Sequence, residues 1–178
     1  RGRGPASAIA EAIVYAASHG ARVINVSVGG RQLTRTEYLA VEFAWSRGAI
    51  VVVAAGNEGV ELTNYGPGGL PRAVTVTATD TADRRVTESN FGEDIDLAAP
   101  GVDVLGPRAI GTDLLAAARA RNYRRGDNVV GPDAGYIRAT GTSFAAPLVA
   151  GAASLLIAAN PSLSAVQVER HPRAGRGP

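Results

Sequence analysis

Cysteine, methionine and lysine are all missing from the 178 residues. Without cysteine there are no disulfides and no thiolate metal sites, and the redox compartment stays open. Without methionine, even at position 1, the chain is not expected to begin at a native N-terminus. At the other end "ERHPRAGRGP" breaks off just after a helix begins near Ser164, so the expectation is a portion of a longer protein. All 18 basic residues are arginine, a bias of coding rather than of function, and against 16 acidic ones they leave a net charge of only +2. That is too little to argue for nucleic acid or a membrane surface. No apolar run reaches the roughly 18 residues of a membrane span, and no signal peptide is visible. A G-x-G-x-x-G at a helix start is absent too, which ranks a small-molecule binder of the α/β-sheet type last among the readings.

What is present is 46% hydrophobic and 19% charged, the balance of a globular chain with a core. Ile9, Ile13, Ala16 and Ala17 recur at helical spacing, and Gly20 stops them. "RVINVSVGG" is a β-branched run ending in glycine, the mark of a buried strand and a turn. The unit then repeats. Thr34 and Glu37 make a capping box, "EYLAVEFAWSR" the helix, Gly48 its stop, and "AIVVVAAGNEG" the second strand. Further strands are predicted at "AVTVTAT" and "DIDLAAPG", and the most apolar helix from Thr142 to about Ala159. Residues 106–135 are polar and rich in Gly and Arg, with a short helix at "DLLAAARARN". Apolar strands alternating with helices predict an α/β fold, a parallel sheet covered by helices on both faces.

Such sheets bind ligands at the carboxyl ends of their strands. Ser27, Val28 and Gly29 follow the first strand, Gly56, Asn57 and Glu58 the second, and Ser143 opens the last helix. A serine in a first helical turn lies beside free backbone N–H groups and the positive end of the dipole. Asn57 offers a neutral N–H donor for a developing oxyanion. Small residues Ala145, Ala146 and Gly151 would let the helix lie close under the sheet. Separately, Ser143 reads as a cap and Asn57 as a turn residue. Converging on one cleft, they no longer look independent.

"GTSFAAPLVAGAASLL" resembles the serine motif of the subtilisin-like serine peptidases, the subtilases, and "VVVAAGNEG" their oxyanion-asparagine segment. "VINVSVGG" is similar to the family's substrate-binding strand, and "YGPGGLPRAVTVTAT" and "FGEDIDLAAPGV" follow in its order. The resemblance implies a subtilisin-like fold, incomplete at the N-terminal side, with residues 1–168 a partial catalytic domain and 169–178 a divergent or disordered tail. It implies a serine endopeptidase with Ser143 as nucleophile and Asn57 in the oxyanion hole. Peptide substrates would lie against Ser27, Val28 and Gly29, with the first specificity pocket between these and Ala54, Ala55 and Gly56. Small, uncharged walls predict an open apolar pocket that takes Leu or Phe, with Gly56→Val filling it.

The family orders its catalytic residues Asp, His, Ser, and the first two precede the matched region. His19, in "ASHGARVIN", lacks the motif's sequel and reads as a helix C-terminal residue, and His171 lies in the tail. Asp80, Asp83, Asp94, Asp96 and Asp103 read as solvated loop carboxylates; the resemblance also puts Asp96 near a weak cation site. Hence no cofactor is required for the chemistry, and a structural calcium is allowed. The expected partners are protein or peptide substrates, with no nucleic acid and no membrane segment. Location is unknown from the chain; the resemblance implies a secreted, extracellular one. Leu148 reads as a packing position, Arg119, Arg121, Arg124 and Arg125 as a solvated loop, and Asn25 of "NVS" as an inaccessible glycosylation pattern. Alone, the chain is expected to be inactive. The alternative is a non-catalytic peptide-binding relative.

Overall fold

The computed structural model describes residues 4–109 and 124–168. The expected helix at 113–122, Arg119, Arg121, His171 and the tail at 169–178 lie outside the described residues. Helix α1 (Ala6–Ser18) leads into β1 (Val23–Val26), α2 (Arg35–Ser46) and β2 (Ile50–Ala54). The capping box that opens α2 is formed: Glu37 N donates to Thr34 Oγ1 at 3.2 Å, and Thr34 N to Glu37 Oε2 at 3.1 Å. Strands β3 (Ala73–Thr79) and β4 (Leu97–Pro100) complete a four-stranded sheet in the order β1-β2-β3-β4, every pair parallel.

The unbroken apolar run of β2 has a direct cause. Val51 and Val53 pack with Ala10, Ile13 and Ala17 of α1 and with Ala40, Val41 and Ala44 of α2. Ile50, Val52 and Ala54 point the other way, onto Ala145, Ala146, Ala150 and Ala153 of the last helix. Both faces are covered, so no position in the strand tolerates a polar side chain. The Thr residues of β3 differ because a loop layer covers them: Thr77 Oγ1 donates to Asn90 O at 2.8 Å, and Thr75 Oγ1 accepts from Gly69 N at 3.1 Å.

After β4 the chain makes a small antiparallel sheet that sequence reasoning missed, with β5 (Val104–Pro107), β6 (Val129–Val130) and β7 (Tyr136–Ala139) in the order β5-β7-β6. These strands have two to four residues and sit among Gly, Pro and Arg, so no periodicity marks them. A four-residue helix, α3 (Arg125–Asn128), precedes β6. Helix α4 (Thr142–Ala159) then crosses under the main sheet.

Three expectations need correction. Gly151 and Leu148 are on the outer side of α4, Leu148 46% exposed; the helix approaches the sheet through buried Ala145, Ala146, Ala150 and Ala153, with Val149, Leu156 and Ile157 packed beside them. Asn25 is exposed, because β1 is the edge strand and its outer side has no partner among the described residues. The helix cap is Gly141, with Thr142 and Ser143 already inside the first turn.

Candidate active site

Parallel strands in register bring their carboxyl ends to one edge, and the candidate residues lie along it. Val26 pairs with Val53, so Ser27 and Ala54 leave the sheet side by side. Gly101, just past β4, seats the start of α4: its N–H donates to Thr79 O at 3.0 Å, and its carbonyl accepts from Gly141 N at 2.8 Å. A Cβ on Gly101 would stand 2.5 Å from Ala78 Cβ and 3.1 Å from Gly141 O, so only glycine lets the helix start here. His19 lies at the other end of the sheet, ahead of β1, with Nδ1 2.7 Å from Tyr15 O and its ring stacked on Tyr15. It cannot serve this edge.

The three segments are tied by reciprocal hydrogen bonds. Ser143 Oγ donates to Ser27 O at 3.1 Å, and Ser27 Oγ donates to Ser143 O at 2.9 Å. Thr142 N donates to Asn57 Oδ1 at 2.8 Å. Thr142 Oγ1, fully buried, accepts from Gly56 N at 3.1 Å and donates to Asn57 Oδ1 at 3.2 Å. The amide oxygen of Asn57 is therefore occupied twice, and its Nδ2 is left without an acceptor among the described residues. The Ser143 N–H belongs to a first turn, where no helical carbonyl reaches it. Asn57 Nδ2 and Ser143 N are thus two N–H donors left over in segments that hydrogen bonds tie together. Preorganised donors of this kind are what a developing oxyanion needs. Sequence reasoning gave Thr142 no part in this, although its place between Gly141 and Ser143 in "GTS" raises the question.

Among the described residues nothing activates the hydroxyl. Its proton goes to a backbone carbonyl, which is too weak a base to generate an alkoxide. Among the described residues no imidazole or carboxylate bonds Ser143 Oγ.

Behind Gly56 lies a polar cluster that sequence reasoning missed. Asn90, wholly buried, accepts at Oδ1 from Glu58 N and Val60 N at 3.1 and 3.2 Å. Its Nδ2 donates to Ala55 O and to Glu58 Oε2, both at 2.9 Å. Glu58 also accepts from the hydroxyl of Tyr65, whose pKa is pushed up from 10.0 to about 12 by burial first and by the Glu58 charge second. Nothing near Asn90 in "TESNFG" announces this role.

Two expectations fail here. The space between the Ser27-Val28-Gly29 and Ala54-Ala55-Gly56 segments is not an open apolar pocket, because Tyr65 reaches into it from the loop below. Gly56 has φ of 100°, and a Cβ on it would lie 2.5 Å from Asn90 Nδ2, so Gly56→Val would disrupt the cluster rather than fill a pocket. Asp96 spends Oδ2 on Thr75 N at 2.8 Å. Among the described residues no three His, Asp or Glu side chains gather to hold an ion. Through its bond to Thr75 the Asp96 carboxylate clamps the start of β3. Asp80 is a loop clamp as well. Its carboxyl is held below the usual range by the backbone N–H groups of Arg84 and Ala82, then by the Arg84 side chain.

Comparison with known proteins identifies the family. The profile of the Subtilase family matches residues 1–172. A thermophilic serine proteinase of Bacillus sp. (strain AK1) is 39% identical over 155 residues, 87% of this chain and 33% of that protein. Subtilisin BL of Lederbergia lenta is 36% identical over 170 residues, 96% of this chain and 54% of its own length. Among solved structures, a protease of Pseudoalteromonas arctica PAMC 21717 superposes with a TM-score of 0.78 at 32% identity, covering 93% of this chain and 50% of that one. The chain spans a third to about half of the length of these relatives.

Proposed function

Because the chain belongs to the subtilase family, we propose that it carries the nucleophile and oxyanion hole of a serine endopeptidase, within a partial catalytic domain at residues 1–168. Ser143 Oγ attacks the carbonyl carbon of a peptide bond. The oxygen that becomes negative accepts from Asn57 Nδ2 and Ser143 N. The amine product leaves with a proton, and water then hydrolyses the acyl-Ser143 ester. No cofactor takes part. The observation that supports this reading is the double hold of Thr142, the residue before Ser143, on Asn57 Oδ1, which fixes the amide and leaves its Nδ2 as the free donor end. A neutral amide fixed in this way costs no reorganisation when the charge develops.

The proton on Ser143 Oγ needs a base, and the reading requires a histidine, oriented by a carboxylate, from polypeptide other than these 178 residues. A second reading draws on the Ser143 Oγ to Ser27 O bond: with its hydroxyl satisfied, the cleft would bind extended peptides without cutting them. A fluorophosphonate probe separates the two. The 178-residue chain alone is expected to remain unlabelled, and a longer form that supplies the histidine to be labelled stoichiometrically, with Ser143→Ala abolishing the signal. Labelling of the chain alone would show a base within it. A longer form that stays inert while holding peptides would favour the binding reading. The family also supports a secreted setting, which fractionation of the producing culture checks.

A further inference from the structure

An extended peptide that presents its carbonyl carbon to Ser143 and its oxygen to Asn57 must run along the exposed backbone of residues 27–29. Side chains of an extended strand alternate between its two sides. The resemblance to the subtilases implies that the one nearest the reacting carbonyl turns between the 27–29 and 54–56 segments. Both of those carry a glycine at the gap, Gly29 and Gly56. Glycine leaves room, and here the room is already taken. A Cβ on Gly29 would stand 2.9 Å from Tyr65 Cε1 and 2.8 Å from Gly66 O. One on Gly56 would stand 2.7 Å from Tyr65 Oη. A single tyrosine ring, 8% exposed, thus touches both walls of the gap.

The ring is fixed at both ends. Its backbone neighbour Gly66 exchanges two hydrogen bonds with Gly30, at 2.8 and 2.9 Å, which tie the tyrosine loop to the peptide-binding segment. Its hydroxyl donates to Glu58, whose carboxylate is steadied in turn by the buried Asn90. With a pKa of about 12 the hydroxyl keeps its proton, and the bond, at any ordinary working pH.

We infer that Tyr65 fills the pocket for the side chain preceding the scissile bond and selects peptides with a small residue there, Gly, Ala or Ser. The inference rests on Ser143 being the nucleophile. A Leu or Phe must displace the ring and break its bond to Glu58, whereas a methyl or hydroxymethyl group fits in front of it.

The test is kcat/KM of the fluorophosphonate-reactive protease on peptide anilides differing only in the residue before the cleaved bond. Native protein is expected to prefer Ala over Phe at least tenfold. Tyr65→Ala is expected to reverse that order, and Tyr65→Phe, which keeps the ring and loses its anchor, to fall between. Circular dichroism and probe labelling of each variant confirm that the fold and Ser143 are intact. Native preference for Phe, or an unchanged ratio in a labelled Tyr65→Ala protein, overturns the inference and leaves the peptidase reading standing. Failure of the native protein to label removes both.

Discussion

Thr142→Val isolates the hold on the oxyanion donor. Valine matches threonine in shape, so packing around this fully buried side chain is kept while the hydroxyl goes. Two bonds go with it: the one accepted from Gly56 N at 3.1 Å and the one donated to Asn57 Oδ1 at 3.2 Å. Gly56 is itself buried, so its N–H loses its partner where water does not replace it, at a cost of about 1–3 kcal/mol. Asn57 Oδ1 keeps Thr142 N at 2.8 Å, so losing the second bond leaves no orphaned group and adds about 1 kcal/mol at most. The added methyl recovers up to ~0.8 kcal/mol. The net expectation is a loss of roughly 1–3 kcal/mol, which for a chain of this size lowers Tm by about 3–10 °C. Thermal unfolding followed by circular dichroism reads it. The catalytic effect should be smaller than the ~100-fold that follows complete loss of a donor, because Asn57 stays in place. Thr142→Ser keeps the hydroxyl and should restore kcat. Unchanged stability in Thr142→Val, or equal kcat losses in the valine and serine variants, would refute the reasoning.

Asn57→Ala should lower kcat by about 10²–10³ with KM little changed; that range is known for this donor in a subtilisin and does not come from the distances given above. Tyr65→Phe should flatten the alkaline limb of stability. The native pKa is raised from 10.0 to about 12, so the group's contribution is complete below 10 and is lost as pH rises through 12. Urea midpoints across that window, with tyrosinate absorbance, decide it, and identical slopes in the two proteins would count against the Glu58 bond. Gly101→Val should fail to accumulate as folded protein, since its Cβ meets Ala78 Cβ at 2.5 Å and backbone at 3.1 Å; a native-like spectrum with normal yield would show that the start of α4 gives way.

The elements whose residues bury a continuous face are legible in the sequence. Strand β3 occupies the predicted span, the capping box of α2 forms as the Thr34–Glu37 spacing predicts, and α4 runs from Thr142 to Ala159. In each, hydrophobic burial repeats at the element's own period, so local pattern and tertiary packing agree. The antiparallel strands β5, β6 and β7 bury little, and Leu105 of β5 and Tyr136 of β7 are about half exposed. Their pairing rests on backbone hydrogen bonds and a few polar side-chain contacts such as Arg138 to Asp103, which hydrophobic pattern does not encode. The alternating threonines of "AVTVTAT" are visible, but the loop that satisfies their hydroxyls comes from residues 68–96, and nothing local points to it.

The candidate site divides along the same line. Ser143 and Asn57 can be read because each sits at the end of an element, and parallel strands deliver their ends to a common edge whatever the loops do. The pocket beside them cannot, because a glycine in sequence has two opposite meanings. It leaves space for a ligand, or it leaves space for another part of the same chain. In the first sense, Gly29 and Gly56 predict an open cleft. The chain uses the second, bringing Tyr65 from a Gly/Pro-rich loop whose path depends on the Gly30–Gly66 bridge and on Asn90 holding Glu58. The proposed nucleophile and oxyanion donor are fixed by the start of α4 and the end of β2. The residue proposed to choose the substrate is fixed by loop contacts that span from a few residues to more than thirty. Within this fold specificity is free to change while Ser143 and Asn57 stay where the sheet puts them.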